Sequence, residues 1–526
     1  MLSKSEICRA ETLKYIEMVK DNPPSVAEMK SDLLGRYCMA IESANATNHS
    51  SRMHIPQELP FSEIALLVAT FNNVIRLDWT GNRDVHYTPM IYQTDGENEG
   101  LYTQDEADFY KIISEYNYLI KYKEFKAIMD MLRIIAPIKT INNNPDLIAV
   151  NNGIFDYKNK VLLPFSPDMV FTTKSRVNYN PEAVNPIIHN DVDGTDWDVE
   201  SWVAELSDNP EVVALLWQVI GAIIRPNVSW DKAILFYSEK GNNGKGTLCE
   251  LMRNLCGKGV WASIALDAFG EAFRLESLVK TTAIITDEND VKCFTKSASV
   301  LKAVITGDSI QLNCKFKSPI TFRFKGLMVQ CVNDLPKFSD KSESIYRRFI
   351  IIPFEKCYSR CERKYIKNDY LNRQDVLEYV LHKVLNTNYY SFDVPLCCET
   401  FLNKYKSYND SVRAFVDEVF PELVWDFIPY QFLYDLYRSW YAKNCPSGLI
   451  ESKQSFNKDI RHIFADSREW VLKDTAYPVG DKMNQSEMLI IEYDLRAWMN
   501  PNYRGQNRTL ICQPMLKQSY TGLLRK

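Results

Sequence analysis

The segment AILFYSEKGNNGKGTLCELM (233–252) gathers residue types that can bind phosphate. An apolar run enters a loop of Gly241, Asn242, Asn243 and Gly244. Lys245, Gly246 and Thr247 then open a stretch with Leu248, Leu251 and Met252 at helical spacing. Glycines let a backbone turn its N–H groups towards phosphate oxygens, and a helix N-terminus adds favourable partial charge. Lys245 would reach the β- and γ-phosphates of a nucleotide. The strict GxxxxGK[ST] spacing asks for glycine where Glu239 stands and for Ser or Thr where Gly246 stands. Thr247 is one residue late for the usual magnesium ligand, so its hydroxyl is a candidate for phosphate as well as for Mg2+. Taken alone, the segment also suits a Gly-rich turn before a core helix.

Three further segments carry complementary groups. TTAIITDEND (281–290) is an apolar run ending in Asp287 and Glu288. At the C-terminal end of a parallel strand, Asp287 can hold Mg2+ and Glu288 can polarise an attacking water. GLMVQCVNDLPKF (326–338) ends its apolar run at Asn333, an amide able to orient that water and the γ-phosphate. Arg347 and Arg348 precede FIIIPF (349–354) and suit an arginine finger for a neighbouring subunit, or a surface salt bridge. Between these segments, Lys315, Phe316 and Lys317 fall in an expected hairpin after the Gly307-Asp308 turn. Lys-aromatic-Lys suits contact with a DNA backbone and its bases, and it suits a solvated hairpin too.

The elements that must position these groups follow from hydrophobic periodicity. The runs 233–238, 282–286, 326–332 and 349–354 are apolar throughout, as in parallel strands covered on both faces. This is an α/β nucleotide-binding layout. Upstream, residues 1–55 read as helical. A capping box of Thr103 and Glu106 should start a helix continued by Phe109, Ile113, Tyr116 and Ile120. Asp146–Tyr157 reads as a strand entering an Asn-Gly turn, and Pro210–Ile224 as a buried helix. Downstream, amphipathic helices precede an expected strand pair around MLIIEYDL (488–495), the helix-then-hairpin order of winged-helix modules. In SKQSFNKDIRHIF (452–464), Lys453, Lys458, Arg461 and His462 share one broad helix side. That side suits a major-groove reader or a solvated basic face. The boundaries expected are an N-terminal helical segment (1–60), an accessory domain (61–225), the nucleotide-binding core (226–360), a helical lid or connector (361–410) and a winged-helix-like DNA-binding domain (411–526).

Bulk properties agree with this plan. At 526 residues the chain is long enough for several domains, and its 46% apolar and 25% charged composition is that of a globular protein. No apolar run reaches the roughly 20 residues that span a bilayer, and no signal core opens the chain, so a cytoplasmic protein without a membrane partner is expected. The 13 cysteines and six histidines do not cluster as zinc sites, and free thiols are expected. A net charge of −5 neither announces nor excludes nucleic acid, since a ring needs positive charge only along its channel.

In this order the motifs resemble the superfamily 3 helicases, specifically the phage and poxvirus primase–helicase family. GNNGKGT resembles its Walker A, and Asp287-Glu288 its Walker B. Leu301 to Lys317 resembles its extra motif, and Asn333-Asp334-Leu335-Pro336 with Tyr346-Arg347-Arg348-Phe349 its sensor and finger region. TDGENEGLYT, NNGIFDY and FTTKSRVNYNPEA resemble upstream landmarks, so the likeness spans residues 90 to 355. It implies an AAA+-type P-loop ATPase core in a hexameric ring, with ATP and Mg2+ between subunits. The resemblance also implies translocation, typically 3′ to 5′, on single-stranded or forked DNA. On that basis Lys245 and Thr247 bind phosphate, Asp287 and Glu288 serve metal and water, and Asn333 is the sensor. Arg348, or else Arg347, is the finger, and Lys315 and Lys317 touch DNA in the pore.

The C-terminal part resembles modules that follow the motor in phage and mobile-island initiators, which implies origin DNA. Relatives often carry a primase ahead of this region. Only about ninety residues precede the likeness here, too few for such a domain, so a separate primase or host replication protein is expected to supply primers. Two other readings remain: a P-loop small-molecule kinase, which DNA should not stimulate, and an ATP-gated DNA scaffold without turnover.

Overall fold

The computed structural model describes residues 2–47, 52–78, 88–191, 193–271, 273–289, 294–295, 298–312, 320–338, 343–358, 363–444 and 450–526. Its first layer is helical: α1 (Lys4–Val19), α2 (Val26–Thr47), α3 (Phe61–Phe71), α4 (Glu106–Tyr116) and α5 (Tyr122–Ile135). Ile7, Tyr15, Leu33 and Tyr37 of the first two helices share one core with Leu67, Phe109 and Phe125. Residues 1–60 are therefore not a segment apart, because an amphipathic helix pair must cover its apolar stripes against further helices. The expected capping box is also corrected. Thr103 ends a short strand paired with Ile91. Asp105 caps α4 instead, accepting from the Ala107 N–H at 3.0 Å.

The chain then forms a hairpin of β1 (Leu147–Val150) and β2 (Gly153–Asp156), with Val150 opposite Gly153. The turn is thus Asn151-Asn152 rather than Asn-Gly. Gly153 opens β2, where a Cβ would lie 2.5 Å from the Leu163 carbonyl oxygen. Two helices follow, α6 (Val199–Glu205) and α7 (Pro210–Ala222). Asn209 caps α7, and Pro210 fits the first turn, where its missing N–H costs nothing.

The apolar runs around the glycine loop become one sheet. It contains β3 (Ala233–Tyr237), which leads to α8 (Lys245–Cys256), then β4 (Trp261–Ala262) and β5 (Ala283–Thr286). A hairpin of β6 (Ser309–Leu312) and β7 (Ile320–Arg323) intervenes before β8 (Leu327–Val332) and β9 (Phe349–Pro353). The order is β4-β5-β8-β3-β9, parallel throughout. Both faces are covered, which explains strands without polar alternation. Helix α9 (Gln374–Asn386) packs into the same core.

That core joins Ile148, Phe155, Trp202 and Val219 to Ile234, Leu251, Ile285, Val329 and Leu381. The boundaries expected at 225 and 360 are accordingly not breaks in packing. The chain separates instead into one unit of residues 1–339 with 347–398 and another of 340–346 with 399–526.

The second unit holds α10 (Ser411–Val419), β10 (Phe427–Pro429), α11 (Tyr430–Asn444), α12 (Lys453–Phe464), β11 (Trp470–Pro478) and β12 (Ser519–Arg525). Its sheet is antiparallel in the order β10-β12-β11. The strand pair expected around 488–495 is instead β11 with β12, and Leu489–Glu492 forms a helical turn that buries Leu489 and Ile490. Short apolar runs have no period that separates strand from helix. Aromatic packing dominates this core: the Tyr437 and Phe456 rings lie 4.7 Å apart, and Phe415 and Trp440 lie 5.8 Å apart.

Candidate functional site

At the C-terminal edge of β3 the chain turns through the glycine loop into α8. Asn242 (φ 55°) and Gly244 (φ 86°) adopt left-handed conformations, and Gly244 is the residue that precedes the helix. Gly241 and Gly246 are not left-handed. A Cβ at either would meet nothing within 4 Å, so their use is an open approach rather than a turn. The buried Asn243 braces the loop, donating to the Lys240 carbonyl and accepting from the Lys245 N–H at 3.3 Å. Gly244 has no side chain to cap α8, and Asn243 takes only the first N–H of the helix. Its next N–H groups, on Gly246 and Thr247, belong to the first turn, where a helix offers no internal acceptor, which suits an external one.

Lys245 is 6% exposed. Its Nζ donates to Asn333 Oδ1 at 2.7 Å, to the Val332 carbonyl at 3.1 Å and to the Ser238 carbonyl at 3.4 Å. Burial pushes its pKa below the usual lysine value. Three neutral oxygens solvate this amine without neutralising it, an arrangement that favours an incoming anion. The structure thus brings together Lys245 and Asn333, two residues 88 positions apart in the chain.

One stripe of α8 continues this edge. Lys245, Cys249 and Arg253 follow each other at four-residue steps, the spacing that stacks side chains on a helix face. Cys249 Sγ lies 3.4 Å from Cys331 Sγ on β8, with both thiols free. Arg253 Nη1 donates to Asp287 Oδ2 at 2.8 Å, while Nη2 pairs with Oδ1. Asp287 was expected beside the loop as a metal ligand; its first partner is this guanidinium. Glu288 is exposed. Asn289 fastens the end of β5 to β8, donating to Gln330 Oε1 at 3.0 Å and the Cys331 carbonyl at 2.9 Å.

Beside the loop lies a cavity of about 360 Å³. Asn242, Gly244 and Thr247 form one wall, Trp202, Leu206, Tyr358 and Ile366 supply apolar surface, and Arg363, Lys364 and Lys367 supply cations. Tyr358 is linked to the loop, its N–H donating to the Asn242 carbonyl at 2.7 Å and its hydroxyl to the Glu205 carbonyl at 2.6 Å. Sequence reading missed this cavity, because α6, Tyr358 and residues 363–368 meet the loop only in the fold.

An apolar-walled cavity next to an uncapped helix N-terminus and a buried lysine suits a nucleoside polyphosphate. The carboxylates suit Mg2+, which takes one or two of them and completes its shell with water and phosphate oxygens. Asp287, Glu288 and the Thr247 hydroxyl are the groups that would hold it.

Other expected residues stand apart from this edge. Arg348 precedes β9 and its carbonyl accepts from the Ala233 N–H at 2.7 Å, so Arg347 and Arg348 lie where β3 begins. A five-residue strand separates the two sheet edges by about 16 Å. Lys315, Phe316 and Lys317 lie outside the described residues, flanked by β6 and β7. On α12, Lys453, Lys458, Arg461 and His462 are exposed while Phe456, Ile460 and Phe464 are buried. Arg461 is engaged with Asp474 at 2.7 Å. Among the described residues no helix is long and apolar enough to cross a membrane.

Three family models match successive parts of the chain. Residues 87–208 match "D5 N terminal like", residues 236–348 match "Family of unknown function (DUF5906)", and residues 407–500 match "Poxvirus D5 protein-like". The two D5-like matches flank the match that covers the glycine-loop region, and each spans less than a quarter of the chain. Solved structures similar to this chain include the apo structure of the NrS-1 C terminal region (305-718). It is 11% identical with a TM-score of 0.44, over 81% of this chain and 98% of that one. The A form apo structure of the same region, NrS-1 C terminal region-CTR, is 12% identical with a TM-score of 0.39, over 78% and 85%.

Proposed function

We propose that the chain is an ATP-driven DNA helicase and replication initiator of the superfamily 3 type. It would be built on an AAA+-type P-loop core with a winged-helix DNA-binding module. The observation that carries this reading is the buried Lys245 amine, solvated by Asn333 and Val332 beside an uncapped helix N-terminus. Few groups other than a polyphosphate reward so costly a burial of charge.

ATP sits with its phosphates on the loop and its nucleoside in the cavity between Trp202 and Tyr358. Lys245 binds the outer phosphates and Asn333 orients the water. Asp287 would hold the metal and Glu288 would polarise that water. Mg2+, bound with ATP, supplies charge neutralisation at the transferred phosphate. Arg347 and Arg348 sit at the sheet edge away from their own loop, so a finger drawn from this pair serves a neighbouring subunit. This favours ATP sites between subunits of a ring, taken here as a hexamer, and DNA in the channel beside the β6–β7 hairpin.

Strand displacement on a forked duplex tests the reading. Wild type unwinds with ATP and Mg2+, whereas Lys245→Ala binds DNA and does not unwind. Equal unwinding by both proteins would end the motor hypothesis. ATP turnover indifferent to added DNA would favour a small-molecule kinase.

A further inference from the structure

The acid expected to meet the metal carries a counterion that no motif announces. Arg253 lies two helical turns beyond Lys245 on the same stripe of α8, and its guanidinium engages both Asp287 carboxylate oxygens. The pair is well shielded: the Arg253 side chain is 12% exposed and that of Asp287 31%. Three further groups surround the guanidinium, while its Nε is buried without a hydrogen-bond partner. Glu250 Oε2 stands 3.4 Å from Nη1, the Ile285 carbonyl accepts from Nη2 at 3.4 Å, and the Trp261 ring lies under the cation at 4.8 Å. Arg253 is thus held on four sides, and a two-pronged contact to a carboxylate fixes that carboxylate's plane as well as its position.

We propose that Arg253 is a positioning residue for Asp287: it fixes the orientation of that carboxylate at the end of β5 and offsets its charge. The proposal rests on the ATPase reading above. Its consequence has a distinctive sign. A carboxylate already paired with a guanidinium attracts a divalent cation less than a free one does. Removing Arg253 should tighten the hold on Mg2+ while loosening the geometry that hydrolysis needs. A residue that merely braces α8 against the sheet would, when removed, weaken both.

The test uses the full chain as wild type, Arg253→Ala, Arg253→Lys, Asp287→Asn and the double variant. Binding of the non-hydrolysable analogue AMP-PNP is measured calorimetrically without Mg2+ and across a Mg2+ series, and ATP hydrolysis is measured separately. For Arg253→Ala, hydrolysis is expected to fall about 10- to 100-fold, the range for outer partners of a metal ligand. The Mg2+ concentration for half-maximal tightening should fall about fivefold, the weight of a unit charge acting on a divalent cation about 8 Å away across water. Metal-free AMP-PNP affinity should stay within about twofold, since Arg253 touches no phosphate-loop group.

Arg253→Lys restores the Mg2+ requirement but only part of the turnover, because an ammonium keeps the charge and loses the two-pronged fit. Asp287→Asn raises the Mg2+ requirement, and adding Arg253→Ala to it lowers hydrolysis no further, since there is no carboxylate left to position. An unchanged or raised Mg2+ requirement in Arg253→Ala overturns the proposal, as does additivity of the two substitutions in hydrolysis. If Arg253→Ala does not fold, Arg253→Gln, which removes the charge and keeps most of the side-chain length, decides by the same Mg2+ series. Wild type that binds no AMP-PNP would sink the ATPase reading itself, a failure distinct from wild type that binds it and variants that behave alike.

Discussion

Two helices of this protein carry lysine and arginine along one side, and they use them in opposite ways. Helix α8 starts after a left-handed glycine with no side chain capping it, buries Lys245 and keeps Arg253 largely covered. Helix α12 starts at Ser452, whose hydroxyl accepts from the Ser455 N–H, and it turns Lys453 and Lys458 to solvent. One terminus is left open and its charge is desolvated, while the other is closed and its charges are hydrated. The difference teaches that a basic residue points to a ligand when, like Lys245, it is denied water and solvated only by neutral oxygens. An exposed basic face records only where a polyanion is tolerated.

Breaking the α8 side of this comparison should give the largest effect. Lys245→Ala is expected to lower ATP hydrolysis about 100-fold or more, as loss of one preorganised donor at a reacting phosphate does. It should also abolish the rise in melting temperature caused by ATP with Mg2+, read by differential scanning fluorimetry. Gly244→Ala comes next. At φ 86° a side chain costs about 1–2 kcal/mol, and its Cβ would come 2.6 Å from Leu206 Cδ2 in the cavity wall. ATP affinity measured by calorimetry should fall about tenfold.

The α12 side should respond only to DNA. Lys453→Ala with Lys458→Ala is expected to reduce the salt dependence of duplex binding by about one unit of slope per lysine. Basal ATP hydrolysis should be unaffected, and an unchanged slope in fluorescence anisotropy would remove α12 as a DNA contact. The smallest effect sharpens the contrast between the termini. Ser452→Ala should cost about 1 kcal/mol of stability in the second unit, seen as a lower melting transition, because a closed terminus loses its cap. A loss of ATP binding by that variant would erase the distinction drawn here.

Much of the sheet was legible in advance. The four apolar runs are β3, β5, β8 and β9, since strands buried on both faces need no alternation and their composition betrays them. The loop and the ends of two of those strands also placed Lys245 and Asn333 at one edge. Less legible was the second unit, where β11 and β12 are separated by 40 residues and the apolar run at 488–495 imitated a strand. The boundaries at 60, 225 and 360 followed composition, whereas packing joins α1 with α3 and α6 with the sheet.

By itself the sequence determined the alternation of strand, loop and helix, and with it which residues stand at strand ends. Local sterics and periodicity suffice for that. Tertiary structure alone decided that Asp287 meets Arg253, that Trp202 and Tyr358 wall a cavity beside Thr247, and that Arg347 and Arg348 stand at the sheet edge opposite their own loop. Those outcomes depend on which side chains remote segments bring within a few ångströms of each other. Charge pairing and burial act across that short distance in space, whatever the separation along the chain.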